Sequence, residues 1–165
     1  EGLKLIITDS QAMDILDKWV PQSIPLTTFS VMMANYMSYG NLGLFIKGLG
    51  ALSLLKNGDK ILIMESCNHN RQGDDIGTSQ IPRLIKEKLG LELKINFSFG
   101  RVMPDDLSQY KLAIHCGGCM ADRQKYGRRI IKLKEAGVPV TNYGLFLSWA
   151  HSPRAAKRVV KIFQP

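Results

Sequence analysis

The sequence predicts an α/β fold, an open and mostly parallel four-stranded sheet with helices on both faces and the cysteine-bearing loops at the carboxyl ends of its strands. Three observations lead there. Apolar runs of strand length recur at residues 60–65, 92–98, 111–115 and 138–141. Stretches with helical spacing lie between them, punctuated by glycine and proline. Strands that alternate with helices in this way form a parallel sheet covered on both sides. Finally, all three cysteines directly follow two of the runs, where open α/β sheets place their ligands.

Taken in order, residues 4–8 form a short β-type run. Asp9-Ser10 then caps a helix reaching Val20, with Ala12, Ile15, Leu16 and Trp19 expected on its buried face. Pro21 stops that helix, and Pro21-Gln22-Ser23-Ile24-Pro25 is the best linker candidate in the chain. Residues 1–20 therefore read as the last strand and helix of a preceding domain. Thr27-Thr28 caps the next helix, where Phe29, Met32, Met33, Tyr36 and Met37 recur at helical spacing and read as core. A further apolar helix covers 42–55, and its Gly43, Gly48 and Gly50 suggest close packing against a neighbour.

After the turn Asn57-Gly58-Asp59 the strand–loop–helix rhythm begins. Strand 60–65 delivers Glu65-Ser66-Cys67-Asn68-His69, and a helix opens near Ile81-Pro82, a position that suits proline. Strand 111–115 delivers His115-Cys116-Gly117-Gly118-Cys119. A basic amphipathic helix spans 121–136, and strand 138–141 leads to a third loop, Asn142-Tyr143-Gly144. Ser152-Pro153 caps the last helix, to about Phe163.

Composition narrows the function. The 165 residues are 45% hydrophobic and 22% charged, ordinary values for a globular chain that needs no metal merely to fold. No apolar run approaches the ~18 residues of a spanning helix. No Gly-x-x-x-x-Gly-Lys-Ser/Thr loop is present, so this stretch does not bind a nucleotide by that route. Three cysteines, an odd number, argue against a disulfide framework and for metal or redox duty in a reducing compartment. The net charge of +8 suits nucleic acid, an anionic cofactor or an acidic protein partner. The basic residues Arg123, Lys125, Arg128, Arg129, Lys132 and Lys134, and Arg154, Lys157, Arg158 and Lys161, read as solvated helix faces.

The two cysteine loops would share one pocket with soft thiolate and imidazole donors. Three thiolates leave one position of a cluster or tetrahedral site to His69, His115, Glu65 or an exchangeable ligand. Gly117 and Gly118 would let the backbone approach closely, and the helix after Cys119 would add its positive end. Two other readings fit these residues: a closed zinc site from the three cysteines and a histidine, and a redox pair Cys116–Cys119. His151 lies outside both loops and reads as a satisfied or surface histidine; Asp74-Asp75 reads as solvated or capping.

Cys67-x-His69, a spacer of 45 residues and His115-Cys116-x-x-Cys119 together resemble the cluster motif of the FeFe-hydrogenase maturation GTPase family, HydF. The likeness extends through Ile24-Pro25-Leu26-Thr27-x-Phe29-Ser30, Leu55-Lys56-x-Gly58-Asp59, Asp74-Asp75-Ile76-Gly77 with Ile81-Pro82-Arg83, and Ala136-Gly137-Val138-Pro139-x-Thr141-Asn142-Tyr143-Gly144.

The resemblance implies a C-terminal part of such a protein. Residues 1–25 would end a dimerisation domain, and 26–165 would form the iron–sulfur domain. It implies that Cys67, Cys116 and Cys119 ligate a 4Fe–4S cluster, with His69, His115 or Glu65 as fourth ligand or in the shell around it. The chain would hold a diiron precursor bearing CO and cyanide and deliver it to the FeFe-hydrogenase apoprotein, with two radical-SAM maturases upstream. GTP hydrolysis would belong to an N-terminal domain, so no enzyme activity is assigned to this stretch. The expected setting is a cytoplasmic homodimer, with neither membrane nor nucleic acid as partner. The alternative function is a structural zinc module that docks an acidic partner or nucleic acid.

Overall fold

The computed structural model describes residues 2–66 and 73–164. Strands β1 (Ile6–Thr8) and β2 (Leu26–Thr28) flank helix α1 (Met13–Trp19) and pair in parallel, Ile6 opposite Leu26. Helices α2 (Phe29–Met37) and α3 (Leu42–Gly50) follow, and a 3-10 turn at Ala51–Leu54 ends the stretch expected as one helix. Next come β3 (Lys60–Glu65), α4 (Ile81–Leu89), β4 (Lys94–Phe99), β5 (Leu112–His115) and α5 (Arg123–Glu135). The chain closes with β6 (Val140–Asn142), α6 (Tyr143–His151) and α7 (Pro153–Val160).

The central sheet has the order β4-β3-β5-β6, and every neighbouring pair is parallel. Side chains of a strand alternate between its two faces. On β3, Ile61 and Ile63 join Ile81, Ile85, Leu112, Ile114 and Phe146 in one core. Leu62 and Met64 join Val31, Met37, Phe45, Ala113 and Tyr126 in the other. Both faces are thus buried, which is why β3 reads as an unbroken apolar run. Each such side chain contributes roughly 1.5–3 kcal/mol on burial. The strands that end at the cysteine loops are therefore firmly seated.

Local sequence signals mark most helix starts. The side chains of Asp9, Thr28 and Ser152 each accept a hydrogen bond from a backbone N–H in the following turn, as helix caps do. Gly48 is the one α3 glycine that close packing requires, since a Cβ there would run into the backbone of Val140 on β6. Gly43 and Gly50 face open space.

Two helix faces differ from expectation. On α1 the buried residues are Met13 and Asp17, while Ile15 and Trp19 are exposed. The cause is an ion pair, because Asp17 turns inward to meet Arg154 and Arg158 of α7 at 2.8 and 3.3 Å. On α2 the core face is Val31, Ala34 and Met37, and Phe29 and Tyr36 stay exposed. Strand β2 was hidden in the sequence because it is three residues long and gains its partner across α1. The segment read as a linker is held by Arg158, whose Nη2 donates to the carbonyls of Val20, Pro21 and Ile24.

Candidate metal centre

Register places the two cysteine loops side by side. Strands β3 and β5 are neighbours, with Met64 opposite His115, so both run out on the same sheet edge. Cys116 continues the ladder by one bond, its N–H donating to Met64 O at 2.9 Å. The backbone N–H of Ser66 then points at Cys116 Sγ, 3.3 Å away. Cys67 and His69 lie outside the described residues. Cys116 is partly buried and Cys119 is exposed.

The carbonyl of Cys116 is held from two sides. Tyr126 of α5 donates its hydroxyl to it at 3.2 Å, and His115 Nδ1 lies 2.9 Å away. The other ring nitrogen of His115, Nε2, accepts from Arg129 Nε at 3.1 Å. These partners assign the imidazole proton to Nδ1. Burial, then the neighbouring Arg129 charge, push the His115 pKa down to about 3, so the ring is neutral. Tyr126 stands edge-on to it, ring centroids 4.6 Å apart. Both nitrogens of His115 are engaged inside the protein.

Arg129 is a buried guanidinium with every nitrogen in use. Besides His115 it donates to Gly100 O and to Ser98 Oγ at the end of β4. It belongs to the basic helix read from sequence as a solvated face, and that reading fails here. Tyr126, Ile130 and Leu133 form the buried stripe of α5, and Arg129 sits on its flank. That position beside the stripe is the available signal.

The loop after β6 closes the site. Asn142 pairs with His115 in the sheet and donates Nδ2 to its carbonyl at 3.3 Å. Its Oδ1 accepts from the N–H groups of Gly144 and Leu145, capping α6. Tyr143 donates its hydroxyl to Glu65 Oε1 at 3.3 Å. Burial and the Glu65 carboxylate push the Tyr143 phenol well above its ordinary pKa. Gly77 is required beneath this pair, since a Cβ there would strike both Glu65 and Tyr143.

Both glycines of the motif are closely packed, and Gly118 is required. Gly118 has φ +73°, and an added Cβ would lie 2.6 Å from the Tyr126 ring. A Cβ on Gly117 would come within 3.1 Å of Ser30 O. Outside this site, His151 lies 4.0 Å from Asp17, and Asp74 forms a two-pronged pair with Arg83. Asp75 caps a π-type turn that precedes α4. These agree with the satisfied and capping readings.

Comparison with known families decides where the chain belongs. Residues 43–162 match the hydrogen maturase F tetramerization domain, and residues 1–38 match the hydrogen maturase F dimerization domain. The chain belongs to the hydrogen maturase F family. It is a hydrogenase maturation protein, and the two HydF domains it contains are named for oligomerization rather than catalysis. No curated protein matches it.

The donor set of this HydF chain suits a thiolate-held cluster. Two cysteines three residues apart, a backbone N–H aimed at one sulfur and a loop closely packed at two glycines fit a soft metal or cluster. Among the described residues no group of three His, Cys, Asp or Glu side chains comes together to hold a metal. Of the three expected cysteine ligands, Cys116 and Cys119 lie among the described residues, on the loop that follows β5. Glu65 lies buried at the mouth of the neighbouring loop.

Proposed function

We propose that this chain holds a 4Fe–4S cluster through Cys67, Cys116 and Cys119, and carries a diiron precursor with CO and cyanide ligands to the FeFe-hydrogenase apoprotein. The observation that carries the reading is the Ser66 N–H directed at Cys116 Sγ. It sets the residue before Cys67 against the other cysteine loop. The bound cluster would supply an iron with an exchangeable position, and the protein's work is to hold and orient. Tyr126 and His115, the latter held by Arg129, fix the Cys116 carbonyl and so the backbone from which its sulfur would meet the metal. With both its nitrogens engaged, His115 acts as a support for the loop, which leaves His69 and Glu65 as the candidates for the fourth position. The Asp122-capped start of α5 lies just beyond Cys119 in the chain, where its positive end would favour an anionic group.

The names of the two matched domains support self-association of the chain. Two radical-SAM maturases would act upstream, and GTP hydrolysis would reside in a separate domain. The proposed setting is the cytoplasm; no helix among the described residues is long and apolar enough to cross a membrane.

The test is transfer. The full-length maturase, reconstituted without oxygen and loaded with a synthetic dicyano-diiron complex, is mixed with hydrogenase apoprotein and hydrogen evolution is followed. Activity should appear with the native chain and be lost with C116A or C119A. Equal activity from both variants would refute the carrier reading.

A further inference from the structure

Beside the Cys116–Cys119 loop, between the end of β4 and the outer face of α5, opens a pocket of about 650 Å³. Arg101, Lys125, Arg128 and Lys132 line it. Among the described residues its one lining carboxylate is Asp122. That group is occupied as the cap of α5, accepting from the N–H groups of Gln124 and Lys125 at 2.9 and 3.0 Å. None of the four cations forms an ion pair with a described residue. The other cation in the wall, Arg129, has its three nitrogens committed to His115, Gly100 and Ser98.

Four like charges around one concavity repel each other and raise the local concentration of anions. The concavity lies within the roughly 300–1,000 Å³ of small-ligand sites, whereas protein partners meet broader and flatter patches. Ser66 and Met120 also line it, and the same Ser66 directs its N–H at Cys116 Sγ. A ligand in this pocket would therefore lie against the cysteine loops.

We infer that this pocket seats the anionic diiron unit. Arg101, Lys125, Arg128 and Lys132 donate to its cyanide nitrogens while the cysteine loop holds the resident cluster beside it. The inference rests on the proposed carrier function and adds the side chains that receive the cargo. Lys and Arg suit the task, since compact acceptors carrying negative charge make strong charge-assisted hydrogen bonds with them. The expected mark of such a site is sensitivity to salt.

The test uses the full-length protein, reconstituted without oxygen and carrying R101Q, K125Q and R128Q together. A synthetic diiron complex with two cyanides is the probe, and the complex retained after gel filtration is read from its CO and CN infrared bands. The control replaces Lys157 of α7 and Lys161 just after it, neither of which lines the pocket, by Gln. The triple variant should keep its iron content and EPR signal and retain at least tenfold less complex, while the control retains it as the native protein does. Full retention by a triple variant with an intact cluster would overturn the inference and leave the carrier function standing. Retention unchanged with loss of co-elution with hydrogenase apoprotein would also overturn it and make the basic face a protein-docking surface. A native protein that takes up iron but never retains the complex would end the carrier reading itself.

Discussion

Arg129 and His115 are joined by a hydrogen bond of 3.1 Å from guanidinium Nε to imidazole Nε2, both side chains buried. Through this bond α5 fixes the tautomer of a ring that in turn meets the Cys116 carbonyl. The same guanidinium reaches the end of β4. One side chain thus braces three elements around the cysteine loop.

Replacing Arg129 by Met strips donors from His115, Gly100 and Ser98 together. Buried acceptors left unsatisfied cost roughly 1–3 kcal/mol each and are not additive. The variant should lose about 2–4 kcal/mol in urea unfolding of the metal-free protein. Arg129→Lys should recover only part of this, because a point ammonium cannot serve three acceptors set around a planar fork. An unchanged midpoint in the Met variant would show that the brace carries no stability.

Gly118→Ala tests the loop itself. The new Cβ meets the Tyr126 ring, and the backbone must keep φ +73°, where L-residues are strained by roughly 1–2 kcal/mol. Expected are a loss of about 1–3 kcal/mol and a lower iron content after reconstitution. Gly43→Ala, on a helix position open to solvent, should leave iron content intact and stabilise slightly. Thermal melts with iron analysis check both.

Asp17 should make stability depend on acid pH. Burial alone would raise its pKa, but hydrogen bonds and charge from Arg154 and Arg158 outweigh that and hold it below the usual carboxylate value. A depressed carboxylate contributes stability that is present above its unfolded pKa, near ~3.9, and is lost as pH falls through the folded value. Asp17→Asn should therefore cost about 3–5 kcal/mol at pH 7, the cost of leaving Arg158 buried without its counter-charge. The gap from the native protein should narrow below about pH 4. Denaturant midpoints of both proteins from pH 7 to pH 3 measure it; a gap constant with pH would exclude the ion pair as its source.

Much of this was legible in the sequence, for a physical reason. Parallel strands buried on both faces leave continuous apolar runs, and residues 60–65 and 111–115 carry that mark. The strand order is a matter of distant pairing and leaves no local trace, yet it is what puts Ser66 beside Cys116. The buried faces of α1 and α2 depart from the apolar pattern of their sequences. Asp17 is buried in place of Trp19 because it has Arg154 and Arg158 to meet. Arg129 and Arg158 were hidden among similar basic residues, although each lies on the flank of an apolar stripe. Long side chains at such positions can turn inward when acceptors await them.

The central claim is that Cys67 completes a cluster site with Cys116 and Cys119. The most direct measurement is iron, sulfide and zinc per chain after oxygen-free reconstitution, with an EPR spectrum of the dithionite-reduced protein, for the native chain and for C67A. The account predicts about four irons and four sulfides with a reduced-cluster signal in the native chain, and loss of both in C67A. One zinc per chain with no iron uptake would contradict it and make these cysteines a structural metal site.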